Sequence, residues 1–317
     1  MPVREIREEA MNSFQKKKLV TLVSHPVKWE CMMSIYTSFS IGGPAEAIVT
    51  VDLKKELVPL LKFLKQEGIM WRVIGRGTNL LVADRGFPGV ILLLGKEFQA
   101  ISGCIDRGDD KVLVRAGSGC SLGRFSLNCM EKGLAGLEFA GGIPGSVGGA
   151  VIMNAGAWGE DISSIVNSIT LTSGDGEKKL KREDLHFEYR CWKEYSDISG
   201  GAVISEVEFL LRREDPEKIR ARCRRLQEKR RSSQPNSFAN AGSFFKNPEN
   251  DSAGRLIEAS GFKGVRVGDA MVSKKHANFL VNCGKATAAD VLNLMNRIQK
   301  KVKEDSGVEL QPEVHFI

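Results

Sequence analysis

The chain has 317 residues, of which 42% are hydrophobic and 27% charged, a balance typical of a soluble globular protein with more than one domain. A formal net charge of +7 points to an anionic partner, either a nucleic acid or a phosphorylated small molecule. Seven cysteines without a C-x-x-C pair argue against a disulfide framework and against a zinc site. The N-terminal residues lack the apolar region of a signal peptide and no apolar run reaches membrane-spanning length, so we expect a cytoplasmic protein.

The part of the chain up to residue 211 predicts an α+β arrangement of short strands and amphipathic helices, preceded by an N-terminal extension. Helices are predicted at 4–18, 53–67 and 121–132. Strands are predicted at 47–51, at the start of 71–84, and at 90–94, 111–116, 165–172, 186–190 and 203–211.

The most informative segment is GLEFAGGIPGSVGGAVIMNAGAWGE, residues 136–160, in which eight of 25 residues are glycine. A flexible linker would be rich in glycine but polar, whereas this segment also carries many apolar side chains. Its turns therefore predict buried backbone whose N–H groups form anion-binding nests. A tight turn between two core strands explains one or two glycines but not eight, so a phosphate-bearing cofactor is favoured.

A second glycine turn lies in WRVIGRGTNLLVAD, residues 71–84. It resembles a dinucleotide fingerprint, but counting from Gly75 the sixth position is Leu80, and an apolar run of strand type follows instead of a helix. Gly75, Gly77, Thr78 and Asn79 can still offer backbone and side-chain donors to a diphosphate, although this signal alone is weak.

The composition changes at Arg212, where a strongly basic helix is predicted to begin near Pro216 and to end before Pro235. This basic helix is more often a solvated face than a binding site. It leads into a second domain that contains the turn GSFFKNP, helices at 253–260 and 288–304, and strands near 278–282 and at 313–316.

Three residues are chemical candidates that the sequence alone leaves open. Ser243 lies outside any G-x-S-x-G elbow, so it is either a proton or oxyanion donor or an ordinary turn serine. Glu313, in the predicted last strand, is either an edge residue facing water or a buried functional acid with a raised pKa. Arg190, at a predicted strand end, is by itself more often a salt-bridge partner.

Taken together, these segments resemble the UDP-N-acetylenolpyruvoylglucosamine reductase (MurB) family over residues 35–317. The motifs that carry the resemblance, in family order, are TSFSIGGPA (37–45), IGRGTNLLVAD (74–84), the glycine-rich segment 136–160, YR (189–190), AGSFFKNP (241–248), SKKHANFLVN (273–282) and QPEV (311–314).

The resemblance implies a two-lobed FAD-binding domain of the vanillyl-alcohol-oxidase (PCMH) type at 35–211, a C-terminal α+β substrate domain at 212–317, and an extension at 1–34. Only a short loop separates Tyr189 and Arg190 from the strand at 203, so the chain resembles the shorter family type, which lacks an extra substrate-capping insertion.

The same resemblance implies roles for individual residues. The FAD diphosphate would lie on Gly75, Arg76, Gly77, Thr78, Asn79 and Leu80, and on Ile143, Pro144, Gly145, Ser146, Gly148, Gly149 and Ala150. The substrate would be held by Tyr189, Arg230, Arg231, Lys246, Asn247 and His276, with Lys246, Asn247 and one or both of the arginines on its diphosphate. Ser243 matches the proton donor, and Arg190 and Glu313 match the other two catalytic residues.

The implied reaction is the NADPH-dependent, FAD-mediated reduction of UDP-N-acetylglucosamine enolpyruvate to UDP-N-acetylmuramate, a step in peptidoglycan precursor synthesis for the cell wall. Ser243 would protonate C2, while Arg190 and a protonated Glu313 would stabilise the charge that develops on the substrate carboxylate. Two positions depart from the family pattern: Cys191-Trp192 replaces a small polar residue after Arg190, which leaves the orientation of Arg190 open, and Ser40 replaces a common arginine.

Two other classes of function remain as alternatives. One is another flavoprotein oxidoreductase of the same fold, against which the AGSFFKNP and QPEV motifs argue. The other is a nucleic-acid-binding protein, for which the basic charge is the only support. We expect non-covalent FAD, although a linkage through Cys104, Cys120 or Cys129 stays open, and we expect a monomer that has no metal site and binds neither nucleic acid nor membrane.

Overall fold

The computed structural model describes residues 10–198, 200–235 and 237–317. Helices and strands are mixed along these residues, with runs of consecutive strands between the helices, which confirms the predicted α+β class. The helices are α1 (Ser13–Thr21), α2 (Lys54–Gln66), α3 (Leu122–Glu131), α4 (Val147–Ile152), α5 (Tyr195–Ile198), α6 (Pro216–Ser233), α7 (Ala253–Ala259) and α8 (Ala288–Ser306).

The strands are β1 (Lys28–Met32), β2 (Pro44–Val51), β3 (Trp71–Ile74), β4 (Leu80–Leu81), β5 (Phe87–Leu94), β6 (Ile101–Asp106), β7 (Lys111–Gly117), β8 (Leu134–Ala135), β9 (Gly156–Ala157), β10 (Glu160–Asp161), β11 (Val166–Ser173), β12 (Gly176–Lys181), β13 (Phe187–Glu188), β14 (Cys191–Trp192), β15 (Ala202–Arg213), β16 (Ala239–Asn240), β17 (Arg266–Val267), β18 (Ala270–Val272), β19 (Leu280–Asn282) and β20 (His315–Phe316).

The chain forms two compact units whose segments interleave in the sequence. The first unit comprises Met1–Glu30, Glu46–Gly75 and Pro88–Gln227, and the second comprises Cys31–Ala45, Arg76–Phe87 and Glu228–Ile317. The domain limits predicted from the sequence concern cofactor and substrate binding, and they stay a prediction.

Besides the two-stranded pairs β9–β10 and β13–β14, the described part of the first unit contains two larger sheets, of four and six strands. In one, the strand order is β1-β2-β5-β3, with β3 and β5 parallel. Helix α2 lies in the same apolar core, because Leu57, Leu60, Leu61 and Leu64 recur at helical spacing and are all buried.

The second sheet of this unit has the strand order β12-β11-β15-β7-β6, and β15 also pairs with β8. Its core is closed by α3, where the ring centroids of Phe125 and Phe209 are 4.8 Å apart. Most of β15 is buried, and its residues Val207, Phe209 and Leu211, spaced two apart, belong to this core.

The second unit is built on a sheet with the order β16-β19-β18-β17 and on helices α7 and α8. Phe39 and Leu81, from the two earlier segments, are buried in the same core. The N-cap of α8 is Thr287, and Asp84 also binds this helix end, since its Oδ1 and Oδ2 accept the N–H groups of Ala288 and Ala289 at 2.8 and 3.0 Å. The segments 31–45 and 76–87 therefore complete a core that the C-terminal residues do not build alone.

Three sequence predictions of secondary structure need correction. Of the predicted helix 4–18, residues 4–9 lie outside the described residues, and the observed helix starts at Ser13 because the side chain of Asn12 caps it. The predicted strand 186–190 is instead the hairpin of β13 and β14, with Arg190 in its turn. Glu313 precedes the last strand, which begins only at His315 and pairs with β4.

Candidate active site

Gly75 and Ser146, one residue from each predicted diphosphate-binding segment, come into close contact in the first unit. A Cβ added to Gly75 would lie 2.2 Å from Ser146 Oγ, which is far inside the contact distance. Gly75 therefore has to be glycine for the turn after β3 to pack against residue 146. This close approach of bare backbone to a serine hydroxyl fits the nest that a diphosphate requires.

Residues 118–122 form backbone hydrogen bonds with the glycine-rich segment, a contact that the sequence did not predict. Val147 N–H donates to the Cys120 carbonyl at 2.9 Å, and Gly148 N–H donates to the Ser118 carbonyl at 2.8 Å. A Cβ on Gly148 would lie 2.9 Å from Ser118 Cβ, so this glycine permits the close packing. The predicted turn at 143–150 contains α4, a short helix that begins after Ser146.

The other residues of segment 143–150 complete this arrangement. Ile143 is partly buried against the core, Ala150 is buried, and the Gly145 carbonyl accepts the Leu122 N–H at 3.0 Å. Ser146 Oγ accepts the Gly149 N–H at 3.2 Å, which caps α4. Pro144 lies between Ile143 and Gly145 in the turn.

The continuation of the first glycine turn belongs to the second unit. Gly77 has φ of 62°, and a Cβ there would lie 2.0 Å from the Tyr36 carbonyl oxygen, so only glycine fits. Arg76 is exposed, Thr78 is partly buried, and Leu80 begins β4. Asn79 Nδ2 donates to the Glu313 carbonyl at 3.1 Å, which joins a predicted cofactor residue to a predicted catalytic residue.

Ser243 and Glu313 are brought together in the second unit by the backbone of Phe244. The Glu313 N–H donates to the Phe244 carbonyl at 2.8 Å, and Phe244 N–H donates to the Asn278 carbonyl at 2.7 Å. Both Phe244 and Phe245 are buried, so Ser243 directly precedes a rigid anchor and is itself only partly buried.

Asn278 is a residue whose function the sequence did not reveal beyond its place in a motif. Its Oδ1 accepts the Phe245 N–H at 2.9 Å, and its Nδ2 donates to the Phe245 carbonyl at 2.8 Å. The buried side-chain amide of Asn278 thus satisfies both backbone groups of Phe245, as a neighbouring strand would.

Arg190 lies in the first unit, in the β13–β14 turn, with φ of 56°. Its Nη2 donates to the Gly156 carbonyl at 2.9 Å, and its Cζ lies 4.9 Å from the ring centroid of Tyr189. Trp192, the departure from the family pattern, is buried on β14 and thereby anchors one strand of the hairpin.

The predicted substrate residues of the second unit occupy varied positions. Asn247 Oδ1 accepts the N–H of Ala253, the first residue of α7, at 3.1 Å, and the Lys246 N–H donates to the Gln311 carbonyl. Arg230 and Arg231 lie in the last turn of α6, where the Arg231 carbonyl accepts Lys275 Nζ. Burial lowers the pKa of His276, whose Nδ1 accepts the Asn278 N–H, so this ring is neutral at pH 7.

All seven cysteines are free thiols. Burial raises the pKa of Cys120, and burial raises the pKa of Cys129 to about 12. Because the thiolate is the reactive form, neither side chain is a good nucleophile at neutral pH. This favours non-covalent FAD over a link through either residue.

In residues 10–198, 200–235 and 237–317, no group of three or more His, Cys, Asp or Glu side chains is arranged to hold a metal ion. Within the same ranges, no helix is both long and apolar enough to cross a membrane.

Comparison with known proteins gives consistent matches. A model of an FAD binding domain matches residues 45–179, which include Gly75 and Ser146, and FAD is therefore the cofactor of this chain. A model of the C-terminal domain of UDP-N-acetylenolpyruvoylglucosamine reductase matches residues 234–317, which include Ser243 and Glu313.

Individual relatives match over nearly the full length. The UDP-N-acetylenolpyruvoylglucosamine reductase of Syntrophus aciditrophicus is 43% identical over 305 residues, 96% of each chain. Reductase 2 of Symbiobacterium thermophilum is 44% identical over 88% of each chain. The crystal structure of the Thermus caldophilus reductase (MurB) is 34% identical, with a TM-score of 0.77 over 92% of this chain and 98% of that one. The chain belongs to the UDP-N-acetylenolpyruvoylglucosamine reductase family.

Proposed function

We propose that the protein reduces UDP-N-acetylglucosamine enolpyruvate to UDP-N-acetylmuramate, with NADPH as the hydride donor and Ser243, Arg190 and Glu313 as the catalytic residues. The observation that carries this proposal is the backbone link from Phe244 to Glu313, which holds two of the three residues next to each other. FAD held at the segments of Gly75 and Ser146 would supply the hydride chemistry, with NADPH as the source of the hydride and C3 of the enolpyruvyl group as its destination.

Ser243 supplies the proton that C2 needs after hydride has reached C3. A general acid has to be held within hydrogen-bond reach of its target, and the buried anchors that follow Ser243 restrict the movement of its backbone. Gly242, with φ of 81°, permits the turn that leads into this position.

Arg190 and Glu313 stabilise negative charge that spreads toward the substrate carboxylate as C2 becomes electron-rich. A guanidinium offers a planar fork of donors that matches a carboxylate, and the bond to the Gly156 carbonyl limits its orientation. Glu313 contributes when its carboxyl is protonated, because only then can it donate a hydrogen bond to the substrate.

The basic side chains of the second unit are proposed to hold the nucleotide diphosphate. Lys246 and Asn247 follow Ser243 directly in the chain, so one segment supplies both the acid and two diphosphate ligands. Arg230 and Arg231 add cationic side chains at the end of α6. Tyr189 and His276 complete the proposed substrate set.

The test separates the two half-reactions in an anaerobic stopped-flow instrument. Ser243→Ala should leave the reduction of FAD by NADPH close to the wild-type rate. It should slow the oxidation of the reduced enzyme by the enolpyruvyl substrate by about 10²–10⁴-fold, the usual contribution of a general acid. Equal losses in both half-reactions would contradict the proton-donor role.

Ser252→Ala is the matched control for this variant. Ser252 caps α7 in the same unit by accepting the Arg255 N–H, and the proposal gives it no role in the chemistry. Its loss should cost about 1 kcal/mol of stability and leave both half-reactions unchanged.

The cytoplasmic location and the monomeric state remain part of the proposal. The proposed location rests on the UDP-sugar and NADPH that the reaction uses. Light scattering of the purified protein measures the oligomeric state. Binding of labelled DNA or RNA that persists at physiological salt concentration would support the nucleic-acid alternative.

A further inference from the structure

Asn154 is a buried polar residue in the glycine-rich segment to which the proposed mechanism gives no role. Only 3% of its surface is exposed, and its backbone φ is 39°. Left-handed backbone of this kind is costly for most side chains but tolerated by asparagine. Both the amide and the backbone conformation therefore suit this residue type.

The side-chain amide of Asn154 forms hydrogen bonds with two other segments, residues 161–163 and Glu188. Its Nδ2 donates to Asp161 Oδ2 and to the Glu188 carbonyl, each at 3.1 Å. Its Oδ1 accepts the Ser163 N–H at 2.9 Å. The opposite amide orientation would place Oδ1 against two oxygens and the NH₂ group against an N–H, so the partners fix the assignment.

One of these partners belongs to the arginine hairpin, which we define as residues 187–192. Glu188 is the last residue of β13, and Arg190 follows in the turn. The segment that begins at Asn154 also supplies the Gly156 carbonyl that accepts Arg190 Nη2. The same short segment thus holds the hairpin backbone at Glu188 and the guanidinium at its tip.

We propose that Asn154 is a positioning residue that fixes the arginine hairpin and thereby orients Arg190 for the substrate carboxylate. This inference rests on the proposed function, because the orientation of Arg190 matters only when a carboxylate is bound. It predicts that the amide of residue 154 affects the step in which substrate is reduced and has no effect on the step in which NADPH reduces FAD.

Three substitutions separate the amide from the backbone requirement. Asn154→Gly permits the left-handed backbone but removes the amide. Asn154→Ala removes the amide and strains the backbone, so it should be less stable than Asn154→Gly. Asn154→Asp places a carboxylate against Asp161 and the Glu188 carbonyl, where a donor is needed. Ser168→Ala, which removes another buried side chain of the same unit, is the stability control.

The kinetic readout is the rate at which substrate oxidises the reduced enzyme. Misplacement of a catalytic group by about 1 Å can cost about 10²-fold, and we expect a loss of this order in all three variants, with normal FAD reduction by NADPH. Rates that follow the order of thermal stability, with glycine close to wild type, would overturn the proposal.

A double-mutant cycle tests whether Asn154 acts through Arg190. If it does, Asn154→Gly should add little to the loss caused by Arg190→Ala, because the group it positions is already absent. Multiplicative losses in the double variant would overturn the proposal.

Hydrogen exchange decides the structural part without any turnover. Asn154→Gly should speed amide exchange in the peptide covering residues 187–192 and not in the peptide covering β11. Unchanged exchange in the hairpin overturns the proposal whatever the kinetics show. A wild-type enzyme that does not reduce the substrate would contradict the proposed function instead, and the exchange result would still decide the role of Asn154.

Discussion

The close approach of Gly75 and Ser146 gives a sharp test of the cofactor site. In Gly75→Ala the new methyl group would lie 2.2 Å from Ser146 Oγ, with Ser146 Cβ at 3.1 Å and Ser146 N at 3.8 Å. The hydroxyl either rotates away and gives up its bond to the Gly149 N–H, or the two segments separate. Overpacking of this kind typically costs about 1–3 kcal/mol.

We expect this cost to appear in FAD affinity. In the free protein the turn can relax, but bound FAD requires both segments in place, so the strain returns on binding. At about 1.4 kcal/mol for each tenfold change, the dissociation constant should rise by about 5- to 150-fold. Titration of the apoprotein with FAD, followed by quenching of flavin fluorescence, measures the change.

A second substitution at the same contact identifies the cause. Ser146→Gly removes both Oγ and Cβ, and losing a serine cap to glycine costs only a few tenths of a kcal/mol, roughly. In the double variant Gly75→Ala, Ser146→Gly, the two short contacts of the new methyl group are gone, and its contact with the backbone N of residue 146, at 3.8 Å, is an ordinary one. The FAD affinity should therefore return to that of Ser146→Gly alone.

Gly123→Ala is the control, since a Cβ in α3 would meet only Ser121 Oγ at 4.0 Å and should be neutral or slightly stabilising. A double variant that binds FAD as weakly as Gly75→Ala would refute the reasoning.

Three further predictions address the second site, the sheet and the cofactor linkage. Asn278→Asp places a carboxylate beside the Phe245 carbonyl, so it should slow substrate reduction more than FAD reduction in stopped-flow traces. Burial raises the pKa of Glu208, but hydrogen bonds from Lys179, Ser168 and Arg115 outweigh burial and bring its pKa to about 2. This pKa lies below the value of about 4.3 in the unfolded chain, so the Glu208 carboxylate stabilises the folded protein above about pH 4.3. That stabilisation is lost as the pH falls towards about 2. In urea unfolding, Glu208→Gln should cost about 1–3 kcal/mol at pH 7, and the difference from wild type should shrink with acid; a constant difference would contradict this. Acid precipitation should release all the flavin into the supernatant, and flavin that stays with the protein would contradict non-covalent binding.

Sequence reasoning worked where the signal is local. The spacing of Leu57, Leu60, Leu61 and Leu64 predicted α2, and the observed helix lies within the predicted range. The glycine-rich pattern marks Gly75 and Gly148 as positions that need glycine, and at both a side chain would collide with a neighbour; their contact with a phosphate stays a prediction. In these cases the residue type alone carries the physical requirement.

Sequence reasoning failed where a contact joins distant residues. One local feature is also missed: the run HFEYR predicts a strand over 186–190 and does not reveal the two-residue turn in which Arg190 has left-handed backbone. The pairing of residues 118–122 with the glycine-rich segment has no sequence signal beyond a serine-glycine cluster. The sequence shows Asn278 only as part of a motif and does not predict its contact with Phe245, because Phe245 lies 33 residues away.

The measurement that tests the account most directly is an anaerobic titration followed by visible absorption. The purified protein should be yellow, should bleach when NADPH is added, and should regain its colour only when UDP-N-acetylglucosamine enolpyruvate follows. A protein that bleaches but ignores this substrate would keep the FAD site and contradict the proposed reaction. A colourless protein that cannot be reconstituted with FAD would contradict the cofactor site at Gly75 and Ser146.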